Sequence, residues 1–313
     1  MCNAGRIVLN YKGIPHQTEW VEFPDIATVA QHIGAPHTVL RSGGRPLYTV
    51  PILRDPSTER SLAGSLQIAL NLERMHPDAP TLFPPGTEDA IVVFDRQFIP
   101  TVARALAKVL VARTWAQLNE RSKPYFRTTR ERLFGQPLEA LTPPGAPTTA
   151  RWAAVRDALE PFARDADARG QSDTFLFGER ETYADVVAVG WLAWGRRIWG
   201  ADTQEWAWLE TWHGGRWGRL TRAFKKWEYV DTPSAPDVAK YVVLILLSRC
   251  SQRFVSRNLD FEIWPGRPIF NYAISAAETR RTEVEQENDH LQSTNRRTVE
   301  FSIVTPLIDF FIS

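Results

Sequence analysis

The sequence predicts a mixed α/β unit followed by an all-α unit, and three observations carry that prediction. The first 80 residues alternate short strand-like and helix-like stretches, each closed by glycine or proline. The run LFPPG at 82–86 places two prolines and a glycine together, as a linker does. Apolar residues at 87–230 then recur at helical spacing, and strand-like alternation stops. Strands followed by a run of helices read as two joined domains. The expected division is 1–80, 87–230 and a tail at 231–313.

The elements follow in order. Residues 4–13 predict a short helix, with Ile7, Val8 and Tyr11 on one face and Gly13 as its stop. Residues 16–22 alternate as a strand around the β-prone Trp20 and Val21. A second helix is expected over 25–33, closed by Gly34. Pro36, Gly43, Gly44 and Pro46 make 35–47 a loop. Strand character resumes at 47–53 around Pro51, a turn follows at 55–57, and a brief strand is expected at 60–62. Gly64 and Ser65 open a helix to Met75, with Leu66, Ala69, Leu70 and Leu72 at helical spacing.

Beyond the linker, 89–118 predicts one long helix with Pro100 as a kink. Further helices are expected at 122–134, 148–169, 183–199, 203–212 and 215–226. Nine of the 12 tryptophans fall between Trp152 and Trp227, which suits either a packed aromatic core or a pocket for a flat hydrophobic ligand. Residues 232–236, TPSAP, form a boundary. After it, 278–297 is polar and charged and 299–312 is apolar, with no sustained period. The tail is expected to pack poorly, with isolated helices at most.

Composition narrows the function classes. The formal net charge is +1, which favours neither nucleic acid nor a membrane surface. Two cysteines, Cys2 and Cys250, make neither a disulfide framework nor a metal cluster. The six histidines (His16, His32, His37, His76, His213, His290) show no ligand spacing. The aliphatic run at 242–247 is far short of the roughly 18–20 residues that span a bilayer. A cytoplasmic protein is the expectation.

Several ordered segments then carry a resemblance. Residues 6–25, RIVLNYKGIPHQTEWVEFPD, 48–55, YTVPILRD, 65–75, 125–135, YFRTTRERLFG, and 175–185, FLFGERETYAD, resemble fungal glutathione transferases of the FuA type. These are related to bacterial β-etherases. The likeness covers about residues 6–230. It implies a thioredoxin-like N-terminal domain, an all-helical C-terminal domain and glutathione as cosubstrate. Hydrophobic aromatic electrophiles are the implied second partner, held between the domains near Tyr125 and Phe126, two residues that core packing explains equally well. A homodimer is also expected, and dimerisation with intact paralogues through the thioredoxin-like domain would fit a regulatory relative.

The resemblance assigns four glutathione-binding positions. Val50 precedes Pro51, a proline that is cis in thioredoxin-like folds, and presents its backbone to the cysteinyl part of glutathione; the plain alternative is an edge-strand proline. Ser65 opens a helix whose free N–H groups receive the γ-glutamyl carboxylate, or it serves only as a cap. Gly64 stands where relatives carry an acid for the γ-glutamyl amine. Thr182 and Asp185 resemble the capping box of the family's core helix, a folding device.

No catalytic residue is assigned. Relatives begin with a strand and a loop whose serine, tyrosine or cysteine stabilises the glutathione thiolate, whereas Met1 here stands at or inside the first helix. The sheet is therefore expected to be one parallel strand short, and conjugation weak. Cys2 is the one substitute on offer, and it does not align with the catalytic position. A late start with an unfamiliar tail suggests an incorrect gene model or a degenerate copy. A non-catalytic carrier of hydrophobic ligands or a regulatory relative is the alternative function.

Overall fold

The computed structural model describes residues 3–41, 43–141, 148–230 and 241–246. Cys2, Cys250 and the polar and apolar stretches of the tail lie outside the described residues.

The N-terminal part opens with α1 (Ala4–Tyr11), followed by β1 (His16–Val21) and α2 (Ile26–His32). Both helices end as the glycines predict. Gly13 takes φ 64°, and Ile14 N–H reaches Leu9 O at 3.0 Å. Gly34 takes φ 63°, and Ala35 N–H reaches Ala30 O at 2.8 Å. Each is a left-handed residue that lets the chain reverse while its amides satisfy the last free carbonyls. The expected loop at 35–47 holds a two-stranded pair, β2 (Val39–Leu40) and β3 (Pro46–Leu47), too short to show as alternation. Then come β4 (Ile52–Asp55), β5 (Arg60–Ala63) and α3 (Ser65–Met75).

The main sheet corrects one expectation. Its order is β1-β6-β4-β5, where β6 is Tyr241–Leu246 from the tail. β6 runs parallel to β1 and antiparallel to β4, with Thr18 opposite Val243 and Leu53 also opposite Val243. A parallel neighbour of β1 between β1 and β4 is the place that a strand ahead of α1 would take in a βαβ unit. The sheet is thus not a strand short, and 241–246 is not an isolated segment. Val243 and Ile245 are buried, as central-strand residues are.

The helical part begins with α4 (Glu88–Phe98) and α5 (Arg104–Gln117). Pro100 does not simply kink one helix. The ladder widens into a π turn over Ile99–Ala103, which absorbs the missing proline N–H. There follow α6 (Ser122–Phe134), the short α7 (Leu138–Leu141), α8 (Thr148–Arg169), α9 (Tyr183–Trp199) and α10 (Gln204–Phe224). α10 is broken where two helices were expected: Trp212, His213, Gly214 and Gly215 leave helical geometry. α9 is the core helix, packed by α1, α4, α5 and α10. Trp152, Trp191, Trp194, Trp206 and Trp217 are buried in that core.

α1 joins the two parts, which is why it is buried nearly all round from Ala4 to Asn10. Asn10 Nδ2 donates to Trp227 O at 2.8 Å and Tyr229 O at 3.0 Å. The buried Lys12 ammonium lies 3.0 Å from Glu73 of α3 and donates to Pro80 O at 3.1 Å. Glu73 also accepts from Leu82 N–H at 2.8 Å, and Leu82 O accepts from Tyr183 N–H at 2.8 Å. Helix, linker and core helix therefore form one hydrogen-bonded chain. A second tie lies after β1: Phe23 N–H donates to Ser122 Oγ at 3.1 Å, and Ser122 and Asn119 both donate to Glu22.

Candidate functional site

One end of the sheet, at the entry to β4 and the exit of β5, gathers all four residues singled out from the sequence. Val50-Pro51 is a cis peptide at the entry to β4. Val50 stands outside the strand ladder, which begins at Ile52, so its backbone is not committed to pairing there. Gly64 N–H donates to Pro51 O at 3.1 Å, which fastens the start of α3 to the start of β4. Ser65 is the first residue of α3 and is partly exposed.

Gly64 has a local reason to be glycine. It takes φ 90° and ψ 131°, a region that side-chain-bearing residues enter only with strain. Space does not demand glycine, because an added Cβ would sit 3.7 Å from Thr38 Cγ2, an ordinary contact. The first helical bond from Gly64 is Ile68 N–H to Gly64 O at 3.0 Å. The amides of Ser65, Leu66 and Gln67 precede it and have no partner within the helix. They face the positive end of the helix dipole, a fit for a carboxylate. No acidic residue in the first turn of α3 competes for that place.

α1 closes the other side. An added Cβ on Gly5 would lie 3.1 Å from Pro51 Cγ and 3.8 Å from Ile68 Cδ1. Glycine there permits α1 to approach both the β4 entry and the first turn of α3. The C-terminal end of β6 also arrives here. Ile52, directly after Pro51, pairs with Leu244, two residues before the end of β6.

Sequence reasoning missed a hydroxyl pair that braces this end. Thr38 Oγ1 and Thr49 Oγ1 are 2.6 Å apart, and Thr49 is buried directly before Val50. Eleven residues separate them in sequence and no local pattern links them. Of the two aromatic candidates for a substrate wall, Phe126 is buried with its ring 5.1 Å from Phe23 and 4.5 Å from the Arg130 guanidinium, so packing accounts for it. Tyr125 is partly exposed.

The groups most perturbed in their titration belong to the helical core. Burial pushes the Asp95 carboxyl up to about 6 and pulls Arg130 down to about 9. Burial also pushes the Asp185 carboxyl up to about 7, against the Thr182 hydroxyl and the Leu176 and Thr182 amides that donate to it. These residues shape the core and are not at that end of the sheet. The capping box predicted for Thr182 and Asp185 is present at the start of α9. Among the described residues, no group of three or more His, Cys, Asp or Glu side chains is placed to hold a metal ion. No helix among them is long and apolar enough to cross a membrane.

Comparison with known proteins agrees with this geometry. Residues 2–75 match the family model described as the glutathione S-transferase N-terminal domain, and 91–227 match the C-terminal domain model. The glutathione S-transferase-like protein ustS of Aspergillus flavus is 32% identical over 235 residues, covering 71% of this chain and 82% of that relative. The glutathione S-transferase CsGST63524 of Ceriporiopsis subvermispora, solved in complex with glutathione, is 40% identical with a TM-score of 0.69, over 73% of this chain and 90% of its own. The glutathione transferase GSTFuA3 of Phanerochaete chrysosporium is 36% identical with a TM-score of 0.68, over the same 73% and 90%.

Proposed function

The chain belongs to the glutathione S-transferase family, and we propose that it binds glutathione at the sheet end formed by Val50, Pro51, Gly64 and Ser65. The γ-glutamyl carboxylate lies on the free amides and hydroxyl at Ser65. The cysteinyl backbone runs antiparallel to Val50, as an extended peptide does against an unpaired strand residue. The observation that carries this reading is the Gly64 N–H to Pro51 O bond of 3.1 Å, which holds the start of α3 against the Val50-Pro51 turn into β4. A relative of 40% identity crystallised with glutathione supports the same ligand.

Transfer of glutathione to a hydrophobic, aromatic electrophile is the reaction that family membership supports. We propose that this chain performs it slowly. Gly5 of α1 approaches Pro51, and neither it nor the preceding Asn3 and Ala4 carries a hydroxyl or thiol to stabilise the thiolate. A free thiol has a pKa of about 8.5, so an unassisted glutathione sulfur is mostly protonated at neutral pH. Gly64 likewise offers no carboxylate to the γ-glutamyl amine. The non-catalytic carrier reading loses its main support, because the tryptophans that suggested an aromatic pocket are largely spent on the core.

Retention on immobilised glutathione tests the binding reading. The wild-type chain is expected to be retained and eluted by free glutathione. Ser65→Ala loses a hydrogen bond to a charged group and is expected to bind about ten to a hundredfold more weakly. Equal retention of the two proteins would remove Ser65 from the site, and failure of wild type to bind would end the proposal. A fast rate with a chlorinated aromatic substrate would refute the slow-transfer reading.

A further inference from the structure

The closing strand β6 is the feature of the fold that glutathione binding alone does not explain. It lies in the middle of the sheet, yet it is joined to the rest only through residues 231–240. Among the described strands, β6 is the one that links β1 to β4 and β5. Without it, β1 has no partner in that sheet, and β1 and β4 each present an unpaired edge. Unpaired edges of this kind accept an added strand.

The chain is placed to fill the slot with its own segment. It leaves the helical part at Tyr229, whose carbonyl is held by Asn10 of α1 at 3.0 Å. α1 in turn packs on the sheet side, its Arg6 guanidinium 5.7 Å from the Trp20 ring of β1. Val243 and Ile245 then supply the buried face, fully apolar and without a polar group to satisfy.

We propose that β6 is a closing strand to which glutathione binding is coupled: strand in the slot and ligand at the sheet end stabilise one another. This rests on the glutathione reading above. The coupling follows from geometry. Val50 and Pro51 are the approach to β4, and β4 is held on one side by β6, with Ile52 opposite Leu244. β4 is held on the other side by β5, which leads directly into Gly64 and Ser65. Withdrawing β6 therefore frees one flank of the strand on which half of the ligand surface is built. By linkage, a ligand that prefers the closed sheet draws β6 in, and β6 raises affinity by the same factor.

The test uses the full chain with Cys2→Ser and Cys250→Ser as background. Leu53→Cys with Val243→Cys places two thiols on directly paired residues, within disulfide reach. Oxidation is expected to give an intramolecular cross-link, and the locked protein is expected to bind glutathione at least as tightly as the reduced one. Val243→Asp with Ile245→Asp puts two charges on the buried face and is expected to weaken glutathione binding at least about tenfold. Amide hydrogen exchange reports the strand independently. Exchange at β1 should quicken in the double aspartate variant while α9 stays protected, and added glutathione should slow β1 exchange in the wild type. Undiminished affinity in a variant whose β1 amides have opened would overturn the coupling. A cross-link found only between chains would also overturn it. If the in-register cross-link forms and neither wild-type nor locked protein binds glutathione, the glutathione reading fails and the closing strand stands.

Discussion

Replacing Asp185 by alanine is expected to destabilise the helical core by about 2–6 kcal/mol, mostly through buried amides left without acceptors. The Asp185 carboxyl is fully buried at the start of α9. It takes Leu176 N–H at 2.9 Å on one oxygen, and Thr182 N–H at 2.8 Å with the Thr182 hydroxyl at 2.8 Å on the other. The hydroxyl can rotate to another acceptor, but the two amides are fixed by the backbone. Each unpaired buried N–H costs about 1–3 kcal/mol, which sums to the range above. Against a typical total of about 5–15 kcal/mol, that is a large share.

The isosteric change separates packing from hydrogen bonding. Asp185→Asn keeps an oxygen for Leu176 but turns an NH2 group toward Thr182 N–H, so one donor faces another. It is expected to cost about 1–3 kcal/mol although its volume is unchanged. Urea unfolding of the full chain, followed by tryptophan emission, reads loss of the helical core, where Trp152, Trp191, Trp194, Trp206 and Trp217 are buried. The midpoint should fall for both variants, further for alanine. A loss below about 1 kcal/mol for alanine, or an asparagine variant equal to wild type, would refute the reasoning, since a simple cap alone typically contributes about that much.

Two further predictions concern the site and the α10 break. Gly64→Ala is expected to cost about 1–3 kcal/mol from its φ of 90°, and Gly64→Glu about the same, yet the glutamate variant should bind glutathione more tightly than the alanine variant. Equal affinity would show that no amine contact is available at that position. At the break, His213 Nδ1 accepts from Trp217 Nε1 at 2.7 Å while Nε2 lies 2.8 Å from the Glu160 carboxylate. Burial holds the His213 pKa below its ordinary 6.5, outweighing the opposing pull of Glu160. The unfolded chain therefore takes up this proton first, so the His213 contribution to stability should fall as pH drops below about 6.5; the raised Asp95 and Asp185 carboxyls act in the opposite sense, so the contribution is read as wild type minus His213→Gln. Urea midpoints of both proteins between pH 7.5 and 5.5 measure this difference, and a wild type that gains on His213→Gln upon acidification would contradict it.

What was legible in the sequence is what local chemistry dictates. Gly13 and Gly34 end helices because only glycine takes the required backbone angle cheaply, so the residue type and the stop coincide. Thr182 and Asp185 sit three apart because a capping box needs that reach. Gly64 and Ser65 form a helix start that is visible without knowledge of what lies opposite. Pro100 announced a disturbance but not its form, since a missing N–H can be met by a bend or by a wider turn. The expected loop at 35–47 concealed β2 and β3, whose two-residue lengths leave no period to detect. The Thr38 and Thr49 pair was hidden for a related reason, because it is made across a fold of the chain and not along it.

β6 was illegible for a deeper reason. The aliphatic run from Val242 onward has the composition of a strand buried on both faces, but such runs lack the alternation that fixes a face or a register. Its partners, β1 and β4, lie about two hundred residues earlier, and nothing local ties them together. A strand identified only by its partners becomes visible only when the slot is recognised as incomplete. The resemblance to the transferases implies a parallel strand beside β1, and that marks the slot. The two expectations, a sheet short by one strand and a tail with isolated helices at most, are corrected together by β6. This makes 241–246 part of the sheet, and under the proposed coupling the burial of Val243 and Ile245 bears on glutathione binding at Val50 and Ser65.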